Sequence, residues 1–196
     1  QNQGAEVTLN IGVLRSANLS WDVGLMLGLL ESEAIDTKGE EIPYGFSRFS
    51  GTRGWVREGY PVPAVFGSMV TNAADLAEPI VETDYYHGPS YPTNTWGFRS
   101  TVTILNNLSL NAFAELQKGT WLQCQTCQRM TLNQTFTPCF PALHAEQKKN
   151  AGDPSDYNKL PAQIRAKCSA DPARQRPPRW YENNDFFRLR SVNLSY

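Results

Sequence analysis

The chain opens on strict alternation. From Val7 to Val13 every odd residue is aliphatic (Val7, Leu9, Ile11, Val13) and every even one is small or polar (Thr8, Asn10, Gly12). After Arg15-Ser16-Ala17 the alternation returns, with Leu19, Trp21, Val23, Leu25, Leu27 and Leu29 set against mostly small or polar neighbours. Successive side chains of a strand point to opposite faces, so this spacing builds one apolar and one mostly polar face. A helix would scatter the same residues around its circumference. The pattern predicts strands over about residues 5–14 and 18–31 joined by a tight turn.

A second hairpin follows the same rule. Trp96, Phe98, Val102 and Ile104 alternate with Gly97, Arg99, Thr101 and Thr103, and after Asn106-Asn107 come Leu108, Leu110, Ala112, Ala114 and Leu116 against Ser109, Asn111, Phe113, Glu115 and Gln117. Asn tolerates the positive φ of a two-residue turn, so strands are predicted over about 95–105 and 108–118. A last strand over about 185–196 changes parity between Phe187 and Leu189 on one side and Val192, Leu194 and Tyr196 on the other, which a bulge near Arg190-Ser191 would reconcile.

These strands are longer than the five or six residues usual in globular sheets and match the roughly 9–11 that a tilted membrane strand needs. Two long stretches, about 34–92 and 119–184, separate the hairpins and hold most of the prolines. Outer-membrane barrels pair short periplasmic turns with long extracellular loops, which assigns both stretches to the outside. An even number of crossings must then lie within 34–92. Tyr60–Gly67 is strand-like and is expected to extend above the membrane rather than cross it. The fold class expected is all-β, an antiparallel transmembrane β-barrel segment. The main alternative is a secreted β-sandwich, with its apolar faces packed on each other.

Composition supports this without deciding it. With 18 basic and 19 acidic residues there is no electrostatic reason to expect a nucleic-acid partner. The 40% hydrophobic content suits a barrel, in which only alternate residues meet lipid. Gln1 is not an initiator and no signal peptide is recognisable, so a fragment or processed product is expected. The two histidines, His87 and His144, have no patterned nucleophile nearby. No enzyme, cofactor or metal is expected. Cys124, Cys127, Cys139 and Cys168 fit disulfides bracing an outer stretch better than zinc ligation, with connectivity open. Trp96, Trp121, Trp180 and Tyr181 near outer strand ends, with Trp21 and Tyr196 near inner ends, suggest interfacial girdles. Arg99, Asn111, Glu115 and Gln117 take the parity of the polar face, which in a barrel lines the lumen, where they could contact a solute. Trp55, Tyr85, Tyr86 and Tyr91 in the outer stretches are candidates for stacking on a ligand.

Four stretches then resemble one family. Asn2–Leu9 (NQGAEVTL) is similar to a strand opening of SusC/RagA-type TonB-linked outer-membrane receptors. Val56–Gly67 (VREGYPVPAVFG) resembles their "EGYPVGSFYG" element, and His87–Thr93 (HGPSYPT) resembles the lead-in to one of their hairpins. Asp185–Tyr196 (DFFRLRSVNLSY) closely resembles their "DFFRLRNVSLSY" strand. The four occur in the family's order over nearly the whole chain. The resemblance implies the C-terminal part of a large barrel in the bacterial outer membrane. It implies TonB-dependent import of a glycan, peptide or similar solute, a SusD-like surface lipoprotein as partner, and a TonB complex engaged through a region ahead of the plug. The runner-up function is a secreted carbohydrate-binding module.

Overall fold

A computed structural model describes residues 1–45, 54–105, 107–168 and 180–196. In chain order its strands are β1 (Asn2–Arg15), β2 (Leu19–Ser32), β3 (Ile42–Tyr44), β4 (Gly54–Val56), β5 (Ala64–Val70), β6 (Val81–Pro89), β7 (Asn94–Ile104), β8 (Leu108–Lys118), β9 (Trp121–Gln123), β10 (Tyr181–Asn183) and β11 (Phe186–Ser195). Helices α1 (Gln125–Leu132), α2 (Phe140–Asn150) and α3 (Ala162–Cys168) lie between β9 and β10.

The five long strands form one antiparallel sheet in the order β1-β2-β7-β8-β11. Directly opposed residues share a face, so the register sorts the side chains into rows. Val7, Leu27, Trp96, Leu116 and Phe187 make one row, and Leu9, Leu25, Phe98, Ala114 and Leu189 the next. Trp21, Val102, Leu110 and Leu194 continue the same face toward the other end. The opposite face carries Thr8, Asn10, Asp22, Arg99, Thr101, Asn111 and Glu115. The β8–β11 register shifts between Leu189 and Ser191, where the parity break requires it. An unforeseen second shift between Gly12 and Leu14 puts Leu14 opposite Trp21.

The apolar face has no cover. None of Leu25, Leu27, Val102 and Leu110 is buried. Leu9 is 48% and Leu189 59% exposed. Ser100 is the polar exception in the middle of this face, and the Trp21 indole donates to its hydroxyl at 3.0 Å. The sheet is open. Each of β1 and β11 has one neighbour only, and the described residues form no closed barrel.

Both short turns, after β1 and after β7, fall at one end of the sheet, and both long insertions leave from the other. Ser16 N–H bonds Leu19 C=O at 2.8 Å in the first turn. In the second, Leu105 takes the positive φ of 53° that was expected of the asparagines. Asn106 itself lies outside the described residues.

The insertions correct one expectation. Expected only as long outer stretches with one strand-like segment at Tyr60–Gly67, they hold regular elements among their described residues. The first folds as a four-stranded sheet, β3-β4-β5-β6, and the second as the β9–β10 ribbon with three helices, so the described residues are mostly β, in antiparallel sheets. The helices are short, and their buried apolar side chains are small (Ala142 and Ala145 in α2, Ala162 and Ala166 in α3), while α3 also buries the cationic Arg165 and Lys167. No broad apolar stripe marks them in the sequence. Their Pro141 starts a helix rather than a loop, since proline suits the first turn where a missing N–H costs nothing.

The buried core of the described residues belongs largely to these insertions. Val70 of β5 packs on Ala162 and Ala166 of α3. Cys139, Ala142 and Cys168 form a second cluster under Phe136, Leu160, Ile164 and Trp180. The Cys139–Cys168 disulfide closes a loop of 29 residues, and the loop-entropy account makes that a stabilisation of roughly 3–4 kcal/mol.

Candidate functional site

Two surfaces of different character can meet a solute: the polar face of the large sheet and the crown of folded insertions at its end.

On the polar face alternation alone decides which side chains project. Arg99, Asn111, Glu115 and Gln117 all lie there. Thr101 donates to Asn111 Oδ1 at 2.8 Å, and Asn111 donates on to Ser109 Oγ at 3.3 Å. Glu115 pairs with Arg190, the residue freed by the β11 bulge. The Arg15 guanidinium holds Asp22 at 2.5 Å near the short-turn end. Between these groups a cavity of about 440 Å³ is bordered by Asn10, Arg15, Asp22, Arg99 and Thr101. Gly24 narrows nothing there, because its position lacks a side chain beside Asn10 and Arg99.

In the crown the aromatic candidates separate. Tyr86 joins Tyr60 and Phe66 in a three-ring cluster with centroids 4.9–5.3 Å apart, and burial raises the pKa of its phenol. Trp55 lies under the Arg57 guanidinium, whose carbon is 5.1 Å from the ring centroid and 4.0 Å from that of Phe66. Arg57 in turn reaches Asp84 at 2.8 Å and Glu41 at 3.1 Å. Tyr86 and Trp55 are thus engaged by neighbouring side chains and keep only part of their surface exposed. Tyr85 packs edge-on to His87 and stays more than one-third exposed. Tyr91 borders a cleft of about 600 Å³ between the two insertions, with Tyr44, Leu122, Gln123 and Gln125. No charged side chain lines that cleft.

The girdle expectation is corrected for three residues. Trp121, Trp180 and Tyr181 pack inside the crown rather than toward lipid. The Trp180 indole donates to Thr131 Oγ1 at 3.0 Å and meets Phe136 edge-on. Tyr181 stacks on His87 at 4.4 Å, with Trp121 on the ring's other neighbourhood at 5.5 Å. Their polar tips and broad rings suit a crowded loop core as well as a headgroup layer, so sequence could not separate the two. Trp21 and Trp96 do lie on the apolar face, near opposite ends of the sheet.

Burial lowers the pKa of His87 to about 4, with the nearby Lys167 cation lowering it further and the Ser68 backbone partly opposing. His87 is neutral near pH 7. Asp84, the neighbouring carboxylate, is engaged by Arg57. The Lys167 ammonium is 4.7 Å from the Trp180 ring centroid, and its own pKa is lowered by burial against the raising effect of Glu182. A histidine and lysine in this state pack the crown.

The cysteines pair as Cys124–Cys127 and Cys139–Cys168. Among the described residues one group of potential metal ligands converges, namely Cys124, Cys127 and Glu182. Sequence reasoning missed Glu182, because it reaches the cysteines only through the β9–β10 pairing. Compared with known proteins, the chain matches no family model and no curated sequence.

Proposed function

We propose that this chain is part of the wall and outer crown of a TonB-dependent receptor of the SusC/RagA type. Such a receptor imports a nutrient solute across the bacterial outer membrane. One observation carries the reading: an uncovered, largely apolar face extends across all five strands while the buried core lies largely in the insertions at one end. Water would penalise so much exposed aliphatic surface, whereas acyl chains cover it without loss. The asymmetry of short turns and long insertions fits the same setting. Further strands must flank β1 and β11 there, because an unpaired edge in hydrocarbon costs several kcal/mol per group.

In this reading Arg99, Asn111, Glu115 and Gln117 line the interior. Tyr85 and Tyr91 are the crown aromatics still open to a ligand, beneath a SusD-like lipoprotein, and TonB coupling acts through another region of the receptor. The carbohydrate-binding sandwich would need a second sheet across the apolar face, and no observation favours it.

Single-tryptophan variants of the full chain, reconstituted with lipids brominated on their acyl chains, test the placement. Emission from Trp21 and Trp96 is expected to fall strongly, and that from Trp121 and Trp180 to hold. A detergent-free monomer in which Trp21 and Trp96 are unquenched by such lipids defeats the reading.

A further inference from the structure

The two disulfides are unlike. Cys139 and Cys168 are 1% and 2% exposed and sit inside an apolar cluster. Cys124 and Cys127 are three positions apart, partly exposed, and occupy the N-cap and first turn of α1. Cys124 Sγ accepts the Cys127 backbone N–H at 3.2 Å. That bond and the positive end of the helix favour a thiolate over a thiol, which makes this pair the better leaving group and the better metal ligand.

A third donor comes from another element. The β9–β10 register sets Glu182 opposite Leu122, and Cys124 N–H bonds Trp180 C=O at 2.8 Å, tying the ribbon to the helix start. Glu182 Oε1 consequently lies 3.9 Å from Cys127 Sγ, and both sulfurs and a carboxylate oxygen fall within 4.8 Å of one another. Ligands on a tetrahedral zinc ion, at about 2.0–2.3 Å from it, stand about 3.3–3.8 Å apart. Once the S–S bond is broken, small side-chain movements that part the sulfurs and bring the carboxylate in would set these three around one ion.

We propose that the Cys124–Cys127 disulfide is exchangeable, and that as a dithiol the pair joins Glu182 to hold one zinc-like divalent cation with the fourth position open. Reduction breaks the S–S bond with two electrons and two protons from a dithiol donor, which leaves as its own disulfide. Binding the ion then displaces the two thiol protons. Two sulfurs and one oxygen select a borderline-soft cation over calcium or magnesium, which require oxygen. The oxidised pair has no such site, so occupancy follows redox state.

The test uses the full folded chain, a mild dithiol reductant, a thiol count and titration with cobalt(II) as the spectroscopic stand-in. Two thiols per chain are expected while Cys139–Cys168 stays closed, followed by one cobalt bound with a thiolate-to-metal charge-transfer band that zinc abolishes. Glu182→Gln leaves the thiol count unchanged and weakens binding by at least about tenfold, the scale seen even for outer-shell partners. Cys124→Ser with Cys127→Ser removes both signals. The proposal is overturned if no thiol appears before Cys139–Cys168 opens, if the reduced chain binds cobalt no better than the oxidised one, or if Glu182→Gln binds equally well.

Discussion

Gly67 and Gly88 show how single positions shape the crown. A methyl group built on Gly67 would stand 2.1 Å from the Tyr181 ring, and one on Gly88 2.3 Å from Trp121. The β5–β6 hairpin is thus bare where the β9–β10 ribbon presses its aromatics, with His87 stacked beside them. Neither glycine announced this role in the sequence, because the ring that needs the space comes from a distant segment. The Cys124–Glu182 convergence was hidden for the same reason. Rigid rings cannot yield as a lysine stem would, so Gly67→Ala should cost about 1–3 kcal/mol, the usual penalty of overpacking. Hydrogen exchange is expected to quicken at Tyr181–Asn183 and Trp121–Gln123 and to stay unchanged in β2 and β7. Unaltered exchange in the ribbon would mean that the Tyr181 contact is loose.

At the scale of elements, the large sheet was legible and the insertions were not. A face that must be apolar from edge to edge leaves no freedom in parity, so it could be read from spacing alone that Leu25 and Leu27, or Val102 and Ile104, share a face, whereas which residues stand opposite one another, as Leu25 does Phe98, could not. Even the Arg190 bulge followed from one broken alternation. The insertions bury alanines, a few aromatics, the cationic Arg165 and Lys167 and a disulfide, and their helices run only seven to eleven residues. Such elements are specified by tertiary partners, which periodicity does not record. The two faces of the sheet also make a direct comparison. Leu25→Arg, midway along β2 between Leu9 and Phe98, puts a guanidinium where acyl chains are proposed and should cost about 2–4 kcal/mol of folding stability in vesicles. Thr8→Arg lies one residue along β1 on the polar face, exposed, and should change stability by less than about 0.5 kcal/mol. Denaturant titration in lipid measures both. Equal costs would contradict the assignment of the faces.

For the whole molecule, the question is whether the crown moves as one body. Its two insertions, which are separate in sequence, are locked through α3. The first-turn N–H groups of Ala162 and Gln163 find no acceptor within their own helix, and they donate instead to Asp75 C=O at 2.7 Å and Ala73 C=O at 3.1 Å. Arg165, 2% exposed, donates to Leu76 C=O at 2.7 Å and to Ala77 C=O, with Glu78 at 3.4 Å. Cys168 then fastens the end of α3 to Cys139 at the start of α2. The hairpin tip at 71–80, α3 and α2 are thereby one linked unit, while the large sheet relies on its own ladder and on whatever covers its apolar face. Stability should accordingly divide between crown and sheet. Arg165→Met keeps most of the volume but strips the donors from two carbonyls, at a cost of about 1–3 kcal/mol. Arg165→Lys keeps the charge without the planar fork and should recover only part of it. Hydrogen exchange in Arg165→Met should rise across 71–80 and α3 together, with β2, β7 and β8 protected as before. Loss of protection spread evenly over crown and sheet would show a single cooperative unit, in which the crown could not rearrange without disturbing the sheet beneath it.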